Sequence, residues 1–76
     1  MDIQMKEEVF EIIAGILKID AASLTEETKI EDIEKWDSLA HLMIIEAIDN
    51  KLGKSIPIDK AMEITSVKEL LEAVEA

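Results

Sequence analysis

Residues 36–53 read "WDSLAHLMIIEAIDNKLG", and this stretch decides the fold. Asp37 stands where a side-chain oxygen can accept the first free N–H groups of a helix. Gly53 supplies the left-handed residue on which helices commonly stop. No proline interrupts the residues between them, so the spacing predicts a helix over 38–52. Ile44, Ile45, Ile48 and Leu52 are enough for its core seam. Leu39, Leu42 and Met43 are then apolar residues without a seam to join, and His41 is expected as an ordinary exposed helix residue.

Upstream, Met5, Val9, Ile12, Ile13 and Ile16 recur at helical spacing and predict a helix over 2–17. Leu17 flanks that stripe, and Phe10 lies off its centre. Asp2, Glu7 and Glu8 sit toward the positive end of the helix dipole. Residues 18–36, "KIDAASLTEETKIEDIEKW", lose the period. A connection this long needs anchors: Ile19, Leu24, Ile30 and Ile33 are the candidates, with a turn expected at 31–35. Downstream, Pro57 bars helix and biases Ile56 toward extended backbone. Asp59 is expected to cap a short helix ending near Met62 or Glu63. Ser66 and Glu69 fit a capping box opening a last helix faced by Val67, Leu70, Leu71 and Val74. No strand alternation occurs. The expected fold is an all-α bundle of three main helices plus one short helix, one domain over residues 1–76, with a long first connection.

Composition narrows the function. Cysteine is absent and histidine occurs once, which excludes disulfides, thiolate metal sites and cysteine nucleophiles. The formal charge is −10, with 18 acids against 8 lysines. Residues 1–36 hold ten acids and residues 37–76 eight, so the acidity covers the whole chain. That field opposes nucleic acid and anionic membrane and favours basic protein surfaces. An apolar fraction of 49% is too high for a disordered acidic segment. The apolar runs are too short to span a bilayer, and "MDIQMKEEVF" lacks the apolar core of a signal peptide; a cytoplasmic monomer is expected. The segment "DNKLGKSIPID" lacks EF-hand spacing.

Ser38 admits three readings. It can be a plain capping residue beside Asp37. It can be a nucleophile with His41 three residues away, but no G-x-S-x-G elbow and no glycine-rich segment exists to build an oxyanion hole. It can also be an attachment point: a hydroxyl at the first helical position stands beside free N–H groups and the positive dipole end, which suits a covalently held phosphate.

At this point the chain resembles the acyl carrier protein family. The resemblance rests on the first-helix pattern, Asp37-Ser38-Leu39 opening the second helix, Ile56-Pro57, Ala61, Ile64-Thr65-Ser66-Val67 and the closing helix. It implies that a phosphopantetheinyl transferase, using coenzyme A and Mg²⁺, attaches 4′-phosphopantetheine to Ser38, and that the thiol of this arm holds acyl or aminoacyl groups as thioesters. Asp37 would cap the helix and help present Ser38. The protein would be a carrier without turnover of its own, serving acyl-transferring and acyl-modifying enzymes with basic docking patches. Leu39, Leu42 and Met43, with Glu46 and Asp49, would form the docking surface, with a place in the core as the alternative for Leu42. Ile44, Ile45, Ile48, Ile64 and Leu70 would line an acyl cavity, although ordinary core explains each as well.

The chain departs from the commonest carriers at Trp36, at Ala40 and Met43 in place of acids, and at Lys51, Lys54 and Lys60. These departures suggest a specialised W-D-S-L carrier with dedicated partners. Trp36 is expected as a packing residue over the end of the core, with a place beside the arm as the alternative. A non-covalent helical adaptor and an aminoacyl or peptidyl carrier are the competing functional readings.

Overall fold

The computed structural model describes residues 2–75. Their order is α1 (Ile3–Leu17), 3₁₀ turns at Ala21–Ser23 and Ile30–Asp32, α2 (Ser38–Leu52), α3 (Ile58–Ala61) and α4 (Val67–Glu75). The all-α bundle and its short additional helix are as the sequence predicts.

In α1 the Asp2 carboxylate accepts the Gln4 N–H at 3.2 Å, so the residue expected inside the helix is its N-cap. The helix stops at Lys18, a non-glycine residue at φ 58° whose N–H reaches the Ala14 carbonyl. Buried residues are Val9, Ile12, Ile13, Ala14 and Leu17. Met5 and Ile16 pack only at the margin, so the seam is rotated toward Ile13 and Leu17 from the expected stripe. Leu17 belongs to the core and does not merely flank it.

In α2 the limits and both caps agree with the sequence. Asp37 accepts the Ala40 N–H at 2.8 Å, and Gly53 takes φ 67°. In α3 the expectation for Asp59 is corrected. Pro57, at φ −55° and ψ 142°, is the N-cap, and Asp59 lies within the first turn. Proline's fixed φ suits a helix boundary, so the chain turns before Asp59 is reached. Its charge still complements the dipole there.

At α4 the capping box closes one residue earlier than S-x-x-E implies. Ser66 Oγ accepts the Glu69 N–H at 3.2 Å, while the Glu69 carboxylate accepts the N–H and hydroxyl of Thr65. The Thr65 hydroxyl, then its N–H, hold the Glu69 carboxyl below the usual carboxylate range.

The long first connection is tied to the start of α4, which no periodicity foretells. Ile30 N–H donates to Thr65 O at 2.9 Å, Val67 N–H to Thr28 O at 2.9 Å, and Lys68 N–H to Glu26 O at 3.0 Å. Two of the orphan donors at the start of α4 are thereby satisfied by a loop. Leu24 is buried from this connection, and Ile19, Ile30 and Ile33 pack at its margin. Lys6 Nζ meets the Glu26 carboxylate at 2.6 Å and holds that carboxyl below its usual range. The expected turn at 31–35 is the 3₁₀ turn Ile30–Asp32, followed by a Trp36 N–H bond to Ile33 O at 3.0 Å. This fold delivers residues 36–38 to the top of α2 on a pinned path.

Candidate functional site

Asp37 sets up the first turn of α2 through two bonds. Its carboxylate takes the Ala40 N–H, and its carbonyl accepts the His41 N–H at 2.9 Å. Ser38 is the first helical residue and is exposed. Among the described residues its hydroxyl has no hydrogen-bond partner, and the N–H groups of Ser38 and Leu39 have none either. A free hydroxyl thus stands at a helix end where donors point outward and the dipole favours negative charge. This donor set fits a phosphodiester on Ser38 Oγ.

The nucleophile reading fails on geometry. His41 is not an exposed residue, contrary to the sequence expectation, because only 7% of its surface is accessible. Its ring nitrogens are engaged elsewhere: Trp36 Nε1–H donates to Nδ1 at 3.0 Å, and Nε2 meets Ala61 O at 2.7 Å. No hydrogen bond joins it to Ser38, so neither ring nitrogen serves as a base for the serine. The missed signal was positional. His41, Ile44, Ile45, Ile48 and Leu52 fall at i, i+3, i+4, i+7 and i+11, which places the imidazole on the core seam. Trp36 is buried beside it, with ring centroids 6.1 Å apart. It packs into the core.

Leu39, Leu42 and Met43 are exposed, and so are Glu46 and Asp49. Residues 39, 42, 43 and 46 share the face opposite the core seam. The bundle adds Ile58 and Met62, exposed at α3, which sequence reading did not single out. A short helix has too little periodicity to reveal which of its apolar residues face out.

Ile44, Ile45, Ile48 and Leu70 lie in the core, with Ile64 at its edge. Ile64 also lines two surface clefts. One, of about 440 Å³, is shared with Lys29, Ile30, Glu31 and Thr65; the other, of about 470 Å³, is bordered by Ile56, Pro57 and Ala73. Among the described residues no helix is long and apolar enough to cross a membrane.

The family model described as "Phosphopantetheine attachment site" matches residues 7–74. Two acyl carrier proteins, from Helicobacter pylori strains G27 and HPAG1, are each 32% identical over 69 residues. Each alignment covers 91% of this chain and 88% of the relative.

Proposed function

The chain belongs to the acyl carrier protein family, and from that premise we propose that Ser38 is the residue that carries its prosthetic group and that the loaded carrier delivers acyl intermediates to partner enzymes. Membership makes it a carrier and not a catalyst, with a covalently attached 4′-phosphopantetheine. When bound, that group supplies a terminal thiol on which acyl groups are held as thioesters. The observation that carries the assignment is the unpartnered, exposed Ser38 hydroxyl at a helix start already capped by Asp37.

The roles of the chain's residues follow from this arrangement. Ser38 contributes an oxygen and no base, since the imidazole nearest in sequence is committed to Trp36 and Ala61. The serine proton must therefore leave to a group on a separate transferase. Asp37 holds the first turn so that the oxygen faces solvent. Leu39, Leu42 and Met43 are the apolar centre of the docking face, with Glu46 and Asp49 as acidic companions to basic partner surfaces. Ile44, Ile45, Ile48, Ile64 and Leu70 are the walls of the space that an acyl chain would take between the helices. Ala40 and Met43, standing where acids are usual, favour a dedicated set of partners.

The test is direct. Purified unmodified protein is incubated with coenzyme A, Mg²⁺ and a broad-specificity phosphopantetheinyl transferase. Intact mass should rise by one phosphopantetheine, and fragmentation should place it on Ser38. No added mass would leave the adaptor reading standing.

Two further outcomes are expected. Met43→Glu should weaken partner binding about tenfold, a loss of about 1.4 kcal/mol, while unfolding free energy stays within about 0.5 kcal/mol. Titration calorimetry and thermal melts check the two halves, and a large stability loss would return Met43 to the core. Partner on-rates should also fall with salt, because the screening length shrinks from about 30 Å at 0.01 M to about 10 Å at 0.1 M. Stopped-flow rates indifferent to salt would remove the acidic field from the encounter.

A further inference from the structure

Trp36, His41 and Ala61 form a continuous buried hydrogen-bonded chain across three segments. Chemistry fixes its direction. An indole N–H only donates, so the Nδ1 that receives it is the bare nitrogen, and Nε2 carries the hydrogen given to Ala61 O. All three residues are buried, so each of these polar groups depends on its partner within the chain.

The chain lies across one particular route. The residues that α2 buries run His41, Ile44, Ile45 and Ile48. Ser38 stands about 4.5 Å from His41 along the helix axis, but about 9 Å from Ile44 and about 15 Å from Ile48. A group that leaves Ser38 and enters between α2 and α3 from that end meets the imidazole before it reaches the isoleucines. That imidazole is tied on both sides, to the carbonyl of Ala61 on α3 at 2.7 Å and to Trp36 ahead of the attachment turn at 3.0 Å. Ile44, Ile48 and Leu70 are fully buried.

Magnitudes decide which cargo this arrangement admits. An alkyl chain that parts the His41–Ala61 bond leaves a buried N–H and a buried carbonyl unpaired, each a loss of about fivefold to 150-fold in equilibrium. Each methylene taken out of water returns about fourfold, so one or two methylenes fall short of the combined loss. A longer chain must offset that loss and also the opening of a close-packed core. We propose that the Trp36–His41–Ala61 chain closes the seam between α2 and α3 at its Ser38 end, so that this carrier's cargo is a short or polar acyl group held outside the core. This rests on the assignment of Ser38 above. A short or polar group tolerates water there, whereas a long alkyl chain would stay wetted along its length.

The test loads Ser38 with butanoyl or octanoyl arms, using the matching acyl-coenzyme A and a broad-specificity transferase, with intact mass to confirm loading. In the unaltered chain the methyl signals of Ile44, Ile48 and Leu70 and the imidazole nitrogen shifts of His41 should be the same in the two forms. Their melting temperatures should agree within about 2 °C. In His41→Ala the octanoyl form should move those methyl signals and melt at least about 5 °C above the butanoyl form, because a chain bound inside stabilises the folded state. His41→Leu, which returns volume without the hydrogen bonds, should show the same changes at smaller amplitude. Methyl signals that move in the unaltered octanoyl carrier overturn the proposal, whatever route the chain takes. A core that stays closed to octanoyl in both variants also overturns it, since His41 would then not be what closes the seam. Should His41→Ala fail to fold, His41→Leu decides. Failure of the unaltered chain to accept either arm would sink the Ser38 assignment and this proposal with it. A loaded carrier that takes octanoyl into its core sinks this proposal alone.

Discussion

Ser38→Ala is expected to take no phosphopantetheine under conditions that fully label the unaltered chain, with its melting temperature within about 3 °C of the parent. Both halves follow from what the hydroxyl touches. It accepts and donates no hydrogen bond among the described residues, and the capping bond at this end belongs to Asp37. Deleting it therefore removes nothing from the fold. The other serines provide internal controls. Ser23 Oγ is engaged with Asp20 O at 2.6 Å, and Ser66 Oγ caps α4. Ser55 is exposed but lies in the extended segment two residues before the Pro57 N-cap and not at a first helical position, so Ser55→Ala should label fully. Intact mass and circular dichroism melts read the two effects together. Residual label on Ser38→Ala that disappears in the double variant with Ser55→Ala would move the site to Ser55. Asp37→Ala provides the contrast, since loss of the cap should cost about 1 kcal/mol and slow labelling without abolishing it.

The position of that hydroxyl was legible before any coordinates because it depends on local rules. An aspartate before a helical pattern and a glycine after it place α2 to the residue. The exposed face of α2 was also legible, as the apolar residues left over once a seam was filled. What stayed hidden depends on contacts between segments distant in the chain. The pairing of residues 26–30 with residues 65–68 has no periodicity of its own. The burial of His41 was obscured for a different reason: a polar residue on the seam looks like an error until its two partners are found. Trp36 offered one donor, five residues upstream, but the second partner is a backbone carbonyl twenty residues away. Side-chain identity carries no trace of that. For α3, proline outranked aspartate as the boundary because a fixed φ acts before a capping side chain can.

The interior has a stability test with a larger expected effect. Leu70 is fully buried on α4, a nine-residue helix too short to persist without packing. Truncating it to alanine removes several buried carbons and leaves a cavity, at a cost of about 3 kcal/mol. A chain of this length has roughly 4–11 kcal/mol in total, so one substitution takes a large part of the margin. The loss spreads by a specific route. Loosening α4 removes the N–H donors that Val67 and Lys68 give to Thr28 and Glu26, and the first connection loses the pins that guide it toward Trp36. Urea titration of Leu70→Ala should show a midpoint lowered in proportion, with the slope unchanged. A loss below about 1 kcal/mol would mean that the surrounding side chains collapse into the gap. That result would describe an interior with slack among Ile44, Ile48 and Leu70, the property a carrier needs if its core is to part around an acyl chain. A full loss at constant slope describes a close-packed core, one that would admit an acyl chain only if whole helices moved.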